Sequence, residues 1–183
     1  MATILNMSIA HFEESYWRYR LAFDEAALDP PMYWNSVAQR ALTPAEIAQL
    51  TEIDSQSWAH PDPVMLNWAH QLRAAGLRTA ILSNMPLPVR QHLDSVDWLP
   101  EFDQRTFSCD VRLAKPGREI YELCLNGLGV KPSTALFLDD RAENTRAAET
   151  LGIHSILFTT PADLAAALHS RFDTPVSLIA TVK

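Results

Sequence analysis

Residues 134–160 read TALFLDDRAENTRAAETLGIHSILFTT, and the texture of this stretch decides the fold. An apolar run, Leu136-Phe137-Leu138, ends in two aspartates, Asp139 and Asp140. A helical pattern follows from Ala142 to Leu151 and closes at Gly152, a residue that tolerates the left-handed turn at a helix end. A second apolar run, HSILFTT, comes next. Strand, helix and strand in so short a span require a crossover connection, and hence parallel strands.

Outward from this stretch the alternation continues. LRTAILSN (77–84) reads as a buried strand, with a helix after it from about Pro86 to Asp94. RTFSCD (105–110) reads as a short strand, and Pro116 to Asn126 as a helix ending in the stop signal Asn-Gly-Leu-Gly. Pro161 to Arg171 is a further helix, and PVSLIATV (175–182) one more strand. Residues 76–183 are therefore expected to form a Rossmann-like α/β core with a parallel sheet. Residues 1–75 are helical in texture. Phe12, Tyr16, Tyr19 and Phe23 recur at helical spacing, and Thr43-Pro44-Ala45-Glu46 opens a helix with a capping box. This part is expected to be a small helical cap-like region.

Bulk properties narrow the function. The chain has 183 residues, 48% hydrophobic and 20% charged, which suits an ordinary globular protein. A net charge of −7 argues against a general nucleic-acid binder, because neutralising phosphates needs surplus Lys and Arg. No segment has the roughly 20 apolar residues that span a bilayer, and MATILNMSIAHFEES lacks the basic start of a signal peptide. A cytoplasmic location, without membrane or nucleic-acid partners, is expected. Cys109 and Cys124 match no zinc spacing and sit in apolar contexts, so both read as reduced core thiols. The six histidines show no ligand spacing and read as surface or capping residues; His11 is the one whose position could face a site. Four of the five tryptophans, Trp17, Trp34, Trp58 and Trp68, lie in the helical part, and packing is their expected role. Arg18 and Arg20 read as the solvated side of a helix, with contact to an anionic substrate as the alternative.

Ligands of parallel α/β sheets bind beyond the carboxyl ends of the strands. The polar residues there are Ser83 and Asn84, Lys115 shortly after the second strand, Asp139 and Asp140, and Thr159 and Thr160. Adjacent carboxylates make a hard-oxygen site suited to magnesium. A lysine supplies fixed positive charge for a phosphate, and a serine hydroxyl can hold its oxygens. Such a set suits phosphoryl transfer, which depends on positioning and charge neutralisation.

ILSN, then AKP, then FLDDRAEN, in that order, resemble the second, third and fourth motifs of haloacid dehalogenase-like hydrolases, in the subgroup with a helical cap after the first strand. The resemblance implies that Ser83 binds the phosphoryl group with Asn84 beside it. It implies that Lys115 neutralises charge on nucleophile and substrate, that Asp140 ligates Mg2+ with Asp139 in support, and that Asn144 helps orient the site. The substrate implied is a small phosphorylated molecule.

The chain departs from the family at its first motif, an apolar strand ending in Asp-x-Asp or Asp-x-x-Gly, whose first Asp attacks phosphorus. No Asp-x-Asp occurs in the sequence, and the first aspartate is Asp24. Met1 is accordingly expected to correspond to an internal position of a longer, untruncated protein, or to a start codon adopted after the front was lost. Two functions stay open: a magnesium-dependent phosphatase impaired by the missing nucleophile, or a non-catalytic scaffold or binding protein. In the family the first strand lies centrally in the sheet, so something is expected to fill its place: residues 2–9, the segment VSLIATV, or a second copy of the chain in a homodimer.

Overall fold

A computed structural model describes residues 1–172 of the chain. The expected strand 175–182 lies outside the described residues. The elements in chain order are α1 (Ala2–Leu5), α2 (Ile9–Asp24), α3 (Pro30–Ala38), α4 (Pro44–Trp58), α5 (Pro63–Ala74), β1 (Ala80–Ser83), α6 (Leu87–His92), β2 (Gln104–Phe107), α7 (Ser108–Val111), α8 (Arg118–Leu128), β3 (Leu136–Asp139), α9 (Ala142–Thr150), β4 (His154–Leu157) and α10 (Pro161–Phe172). The chain divides into two compact units. One comprises Met1–His60, Leu82–Leu99 and Thr106–Ala114; the other comprises Pro61–Ile81, Pro100–Arg105 and the chain from Lys115.

The first unit is built on helices whose starts are written in the sequence. Ser8, Asp29 and Thr43 each accept a backbone N–H of the helix they open, and Thr43 with Glu46 completes the expected capping box. The core gathers Leu5, Tyr16, Phe23, Tyr33, Trp34, Val37, Leu42 and Leu50. Phe23 and Tyr33 stack at 4.1 Å, and Trp34 is fully buried. The packing role expected of the tryptophans holds for Trp34, whereas Trp17 and Trp58 are half exposed. Residues 2–9 do not fill a strand position. Ala2–Leu5 is a helical turn, and Leu5 belongs to the helical core.

The same unit holds a charged cluster around Arg20, a residue expected on the solvated side of its helix. Arg18 is exposed and pairs with Glu14, as a surface residue should. Arg20, however, is 5% exposed and is surrounded by acceptors. Its Nε donates to Asp24 Oδ1 at 2.8 Å, and its Nη1 lies 3.1 Å from both Asp54 oxygens. Tyr16 donates its hydroxyl to Asp54 Oδ1 at 2.6 Å and accepts the Trp58 indole N–H at 2.9 Å. Helical spacing places Arg20 four residues from both Tyr16 and Asp24, so the face that buries Tyr16 also turns Arg20 inward.

In the second unit β3 and β4 pair in parallel, with Leu136 opposite His154 and Asp139 opposite Leu157. Side chains alternate across a strand. Leu138 packs with Trp68, Ile156, Leu164 and Leu168, joining the strands to α5 and α10. Its neighbour Phe137 meets Tyr121 of α8 edge-on at 5.4 Å. The α/β class and the strand-helix-strand reading of 134–160 thus stand as expected. A single sheet does not: the described strands form two separate two-stranded sheets, β1 with β2 and β3 with β4. RTFSCD also splits, since the strand ends at Phe107 and Ser108 begins a helical turn.

Candidate functional site

The residues at the end of β3 form a closed hydrogen-bond set around one carboxylate. Lys115 Nζ lies 2.6 Å from Asp139 Oδ2. The other oxygen, Oδ1, accepts the Arg141 backbone N–H at 2.9 Å and the Asn144 amide at 2.8 Å. Asn144 reaches back because it lies in the first turn of α9, and Tyr121 holds that turn by donating its hydroxyl to the Asn144 carbonyl at 3.0 Å. Burial, with the Asp139 charge nearby, pushes the Tyr121 phenol well above its ordinary value, so it stays a donor. The Lys115 side chain is 10% exposed, that of Asp139 is 5% exposed, and the ammonium lies 5.5 Å from the Phe137 ring centre. A buried charge pair of this kind holds only because its remaining lone pairs are satisfied.

Asp140 stands beside this set and differs from it. Its carboxylate is exposed and lines a cleft of about 490 Å³ together with Met65, Leu138, Asp139, Phe158 and Thr159. Thr159 and Thr160 serve the next helix instead. Both hydroxyls donate to Asp163 at 2.7 Å, and the Thr160 hydroxyl accepts the Asp163 N–H. Those bonds, from Thr160 first, hold the Asp163 carboxyl below its ordinary value.

Ser83 and Asn84 belong to the first unit, where Ser83 closes β1. The loop after them is fixed by Ser108, which is fully buried. The Ser108 hydroxyl accepts the Met85 N–H at 2.9 Å and donates to the Asp24 carbonyl at 2.6 Å. Lys115, Asp139 and Asn144 are therefore brought into direct contact, with Asp140 adjacent, while Ser83 and Asn84 are held within the other unit. The sequence reading missed Ser108, because RTFSCD looked like uninterrupted strand. Cys109 and Cys124 are free and buried, as expected.

The donor chemistry suits a hard cation with few protein ligands. Both Asp139 oxygens already carry hydrogen bonds, which leaves the exposed Asp140 carboxylate. Among the described residues no group of three or more His, Cys, Asp or Glu is placed to hold a metal. Magnesium takes one or two carboxylates and keeps its waters, so the residues fit it and do not fit zinc. No helix among the described residues is long and apolar enough to cross a membrane.

Comparison with known proteins identifies the family. The family model described as haloacid dehalogenase-like hydrolase matches residues 8–152. Mouse acyl-CoA dehydrogenase family member 10 is 36% identical over 121 residues, 63% of this chain but 11% of that protein. Pig bifunctional epoxide hydrolase 2 is 36% identical over 98 residues, 51% of this chain and 18% of that protein. The chain thus spans a small part of the length of these relatives. The sesquiterpene phosphatase astK of Aspergillus oryzae is 21% identical over 138 residues, covering 75% of this chain and 70% of that protein. Among solved structures, the HAD family enzyme bt-2542 of Bacteroides thetaiotaomicron superposes with a TM-score of 0.68 at 17% identity, covering 87% of this chain and 88% of that one. Another crystal of that enzyme holds magnesium and inorganic phosphate. L-2-haloacid dehalogenase of Xanthobacter autotrophicus gives 0.61 at 19% identity, covering 93% and 73%. With the family matched over most of its length, this chain belongs to the haloacid dehalogenase-like hydrolases.

Proposed function

We propose that these residues form the phosphate- and magnesium-handling part of a small-molecule phosphatase site, and that the 183-residue chain does not itself turn over substrate. The observation that carries the reading is the Lys115–Asp139–Asn144 set with the exposed Asp140 carboxylate beside it. In this reading Asp140 holds Mg2+, with Asn144 and Asp139 orienting the strand end. Lys115 supplies fixed positive charge where phosphoryl oxygens collect. Magnesium, when bound, would neutralise phosphoryl charge. The substrate is a small phosphorylated molecule, and the phosphatase among the relatives supports that class.

The missing turnover follows from the nucleophile. Phosphoryl transfer through a covalent aspartyl phosphate needs a carboxylate free to attack. Asp139 is bound at both oxygens, and no Asp-x-Asp occurs in the sequence. The same absence favours a binding or scaffold role for this polypeptide as the second reading.

Two measurements on the whole chain test this. Calorimetric titration with inorganic phosphate in magnesium should show binding that Asp140→Asn abolishes. Hydrolysis of p-nitrophenyl phosphate should stay at the buffer rate. Turnover that disappears in Asp140→Asn would overturn the claim about the nucleophile. Absence of phosphate binding by the unaltered chain would overturn the site itself.

A further inference from the structure

The Asp139 carboxylate fixes more than its own position. Its Oδ1 accepts the Arg141 N–H at 2.9 Å, a bond that reaches two residues along the chain and closes a turn around Asp140. The main chain at Asp140 is therefore held by whatever holds Asp139. The same Oδ1 accepts the Asn144 amide at 2.8 Å, and Lys115 takes Oδ2. Both of those partners lead to one side chain on α8. Tyr121 donates its hydroxyl to the Asn144 carbonyl at 3.0 Å, and its ring meets Phe137 edge-on at 5.4 Å. The Phe137 ring in turn lies 5.5 Å from the Lys115 ammonium. Side chains alternate along a strand, so Phe137 and Asp139 share one face of β3. Tyr121 is 1% exposed, so it acts on these neighbours rather than on a ligand.

The hydroxyl at that place does something the ring does not. A phenylalanine ring would meet Phe137 equally well, because the contact is edge-on and apolar. The hydroxyl adds a buried bond to the first turn of α9, the turn from which Asn144 reaches Asp139. A carbonyl has two lone pairs, so it can take this bond beside one from its own helix. Partners one step removed from a metal ligand set that ligand's orientation. We infer that Tyr121 is a positioning residue for the Asp140 carboxylate, acting through Asn144 and Asp139. The inference rests on the reading of Asp140 as the magnesium-binding group.

Calorimetric titration of the whole chain with magnesium chloride tests it, comparing the unaltered protein with Tyr121→Phe. Ile156→Val is the control, because it thins the core of the same unit on the Leu138 side of the β3–β4 pair, away from Phe137 and Asp139. Circular dichroism checks that both variants keep their fold. The expected result is binding by the unaltered chain, about threefold to tenfold weaker in Tyr121→Phe, as the loss of one hydrogen bond gives, and unchanged in Ile156→Val. NMR of the Asn144 side-chain amide without metal gives a second readout: its resonances should shift in Tyr121→Phe and stay in Ile156→Val. Equal magnesium affinity in the unaltered chain and Tyr121→Phe would overturn the inference and leave the reading of Asp140 standing. So would equal weakening in both variants, which marks a purely structural role, or an unmoved Asn144 amide. No magnesium binding by the unaltered chain would overturn the reading of Asp140, and the inference with it.

Discussion

Replacing Arg20 by methionine tests whether the buried cluster in the first unit is organised by charge. Arg20, Asp24 and Asp54 are 5%, 7% and 2% exposed, and together they carry one positive and two negative charges. Methionine keeps much of the volume but leaves two carboxylates facing each other without a cation. Removing one partner of a buried ion pair costs about 3–5 kcal/mol, because the uncompensated charge stays behind. Asp54→Asn should cost less, about 1–3 kcal/mol, the range for disturbing a buried hydrogen bond. It leaves Arg20 paired with Asp24, and the amide oxygen can still accept from Tyr16. Urea unfolding at pH 7, followed by circular dichroism, measures both changes from the shift in midpoint at constant slope. The expected order is Arg20→Met well above Asp54→Asn. Equal costs, or the reverse order, would refute the argument and leave packing around Tyr16 and Trp58 as the source of stability.

Other expectations follow from single residues. Burial, and then the Asp110 charge, push the Cys109 thiol up to about 11. Its reaction with a disulfide reagent near pH 8 should be roughly a hundredfold slower than that of the unfolded chain, because thiolate is the reacting form. Glu46 has its carboxyl lowered from 4.5 to about 2 by Arg40 first and then by Thr43. A carboxyl depressed in the folded state adds stability above its unfolded value and loses it as pH falls through the folded one. Glu46→Gln should therefore unfold more easily at pH 7, with the difference fading between 4.5 and about 2 in urea titrations. The Trp68 indole N–H is buried without an acceptor among the described residues. Trp68→Phe removes that donor and should cost under about 1 kcal/mol in urea unfolding, against about 3–5 for Trp68→Ala.

What the sequence made legible was local. Thr43, Pro44 and Glu46 announced α4, and the run 134–160 announced β3, α9 and β4 to within three residues at each end, because caps and apolar periodicity are written in neighbouring residues. The contact of Lys115 with Asp139 was approachable only through the motif order, since nothing local links residues so far apart. Three features escaped for stated physical reasons. Residues 2–5 are apolar enough for a strand, but a run that short carries no period, and burial of Leu5 among helices decided it. Arg20 looked solvent-facing because charge is usually exposed, and its two aspartate partners lie on different helices. Ser108 looked like strand because its role is made by Met85 and Asp24, both distant in the chain.

That one serine has a consequence for how this chain tolerates change. A single hydroxyl ties the loop behind Ser83 to the last residue of α2, so the two cannot be retuned separately. A substitution that lengthened or rotated the end of α2 would be felt at Ser83, and its effect would depend on which residue stood at 108. Changes that displace the main chain at Asp24 or Met85 should thus couple to changes at Ser108, the one position whose side chain makes both bonds.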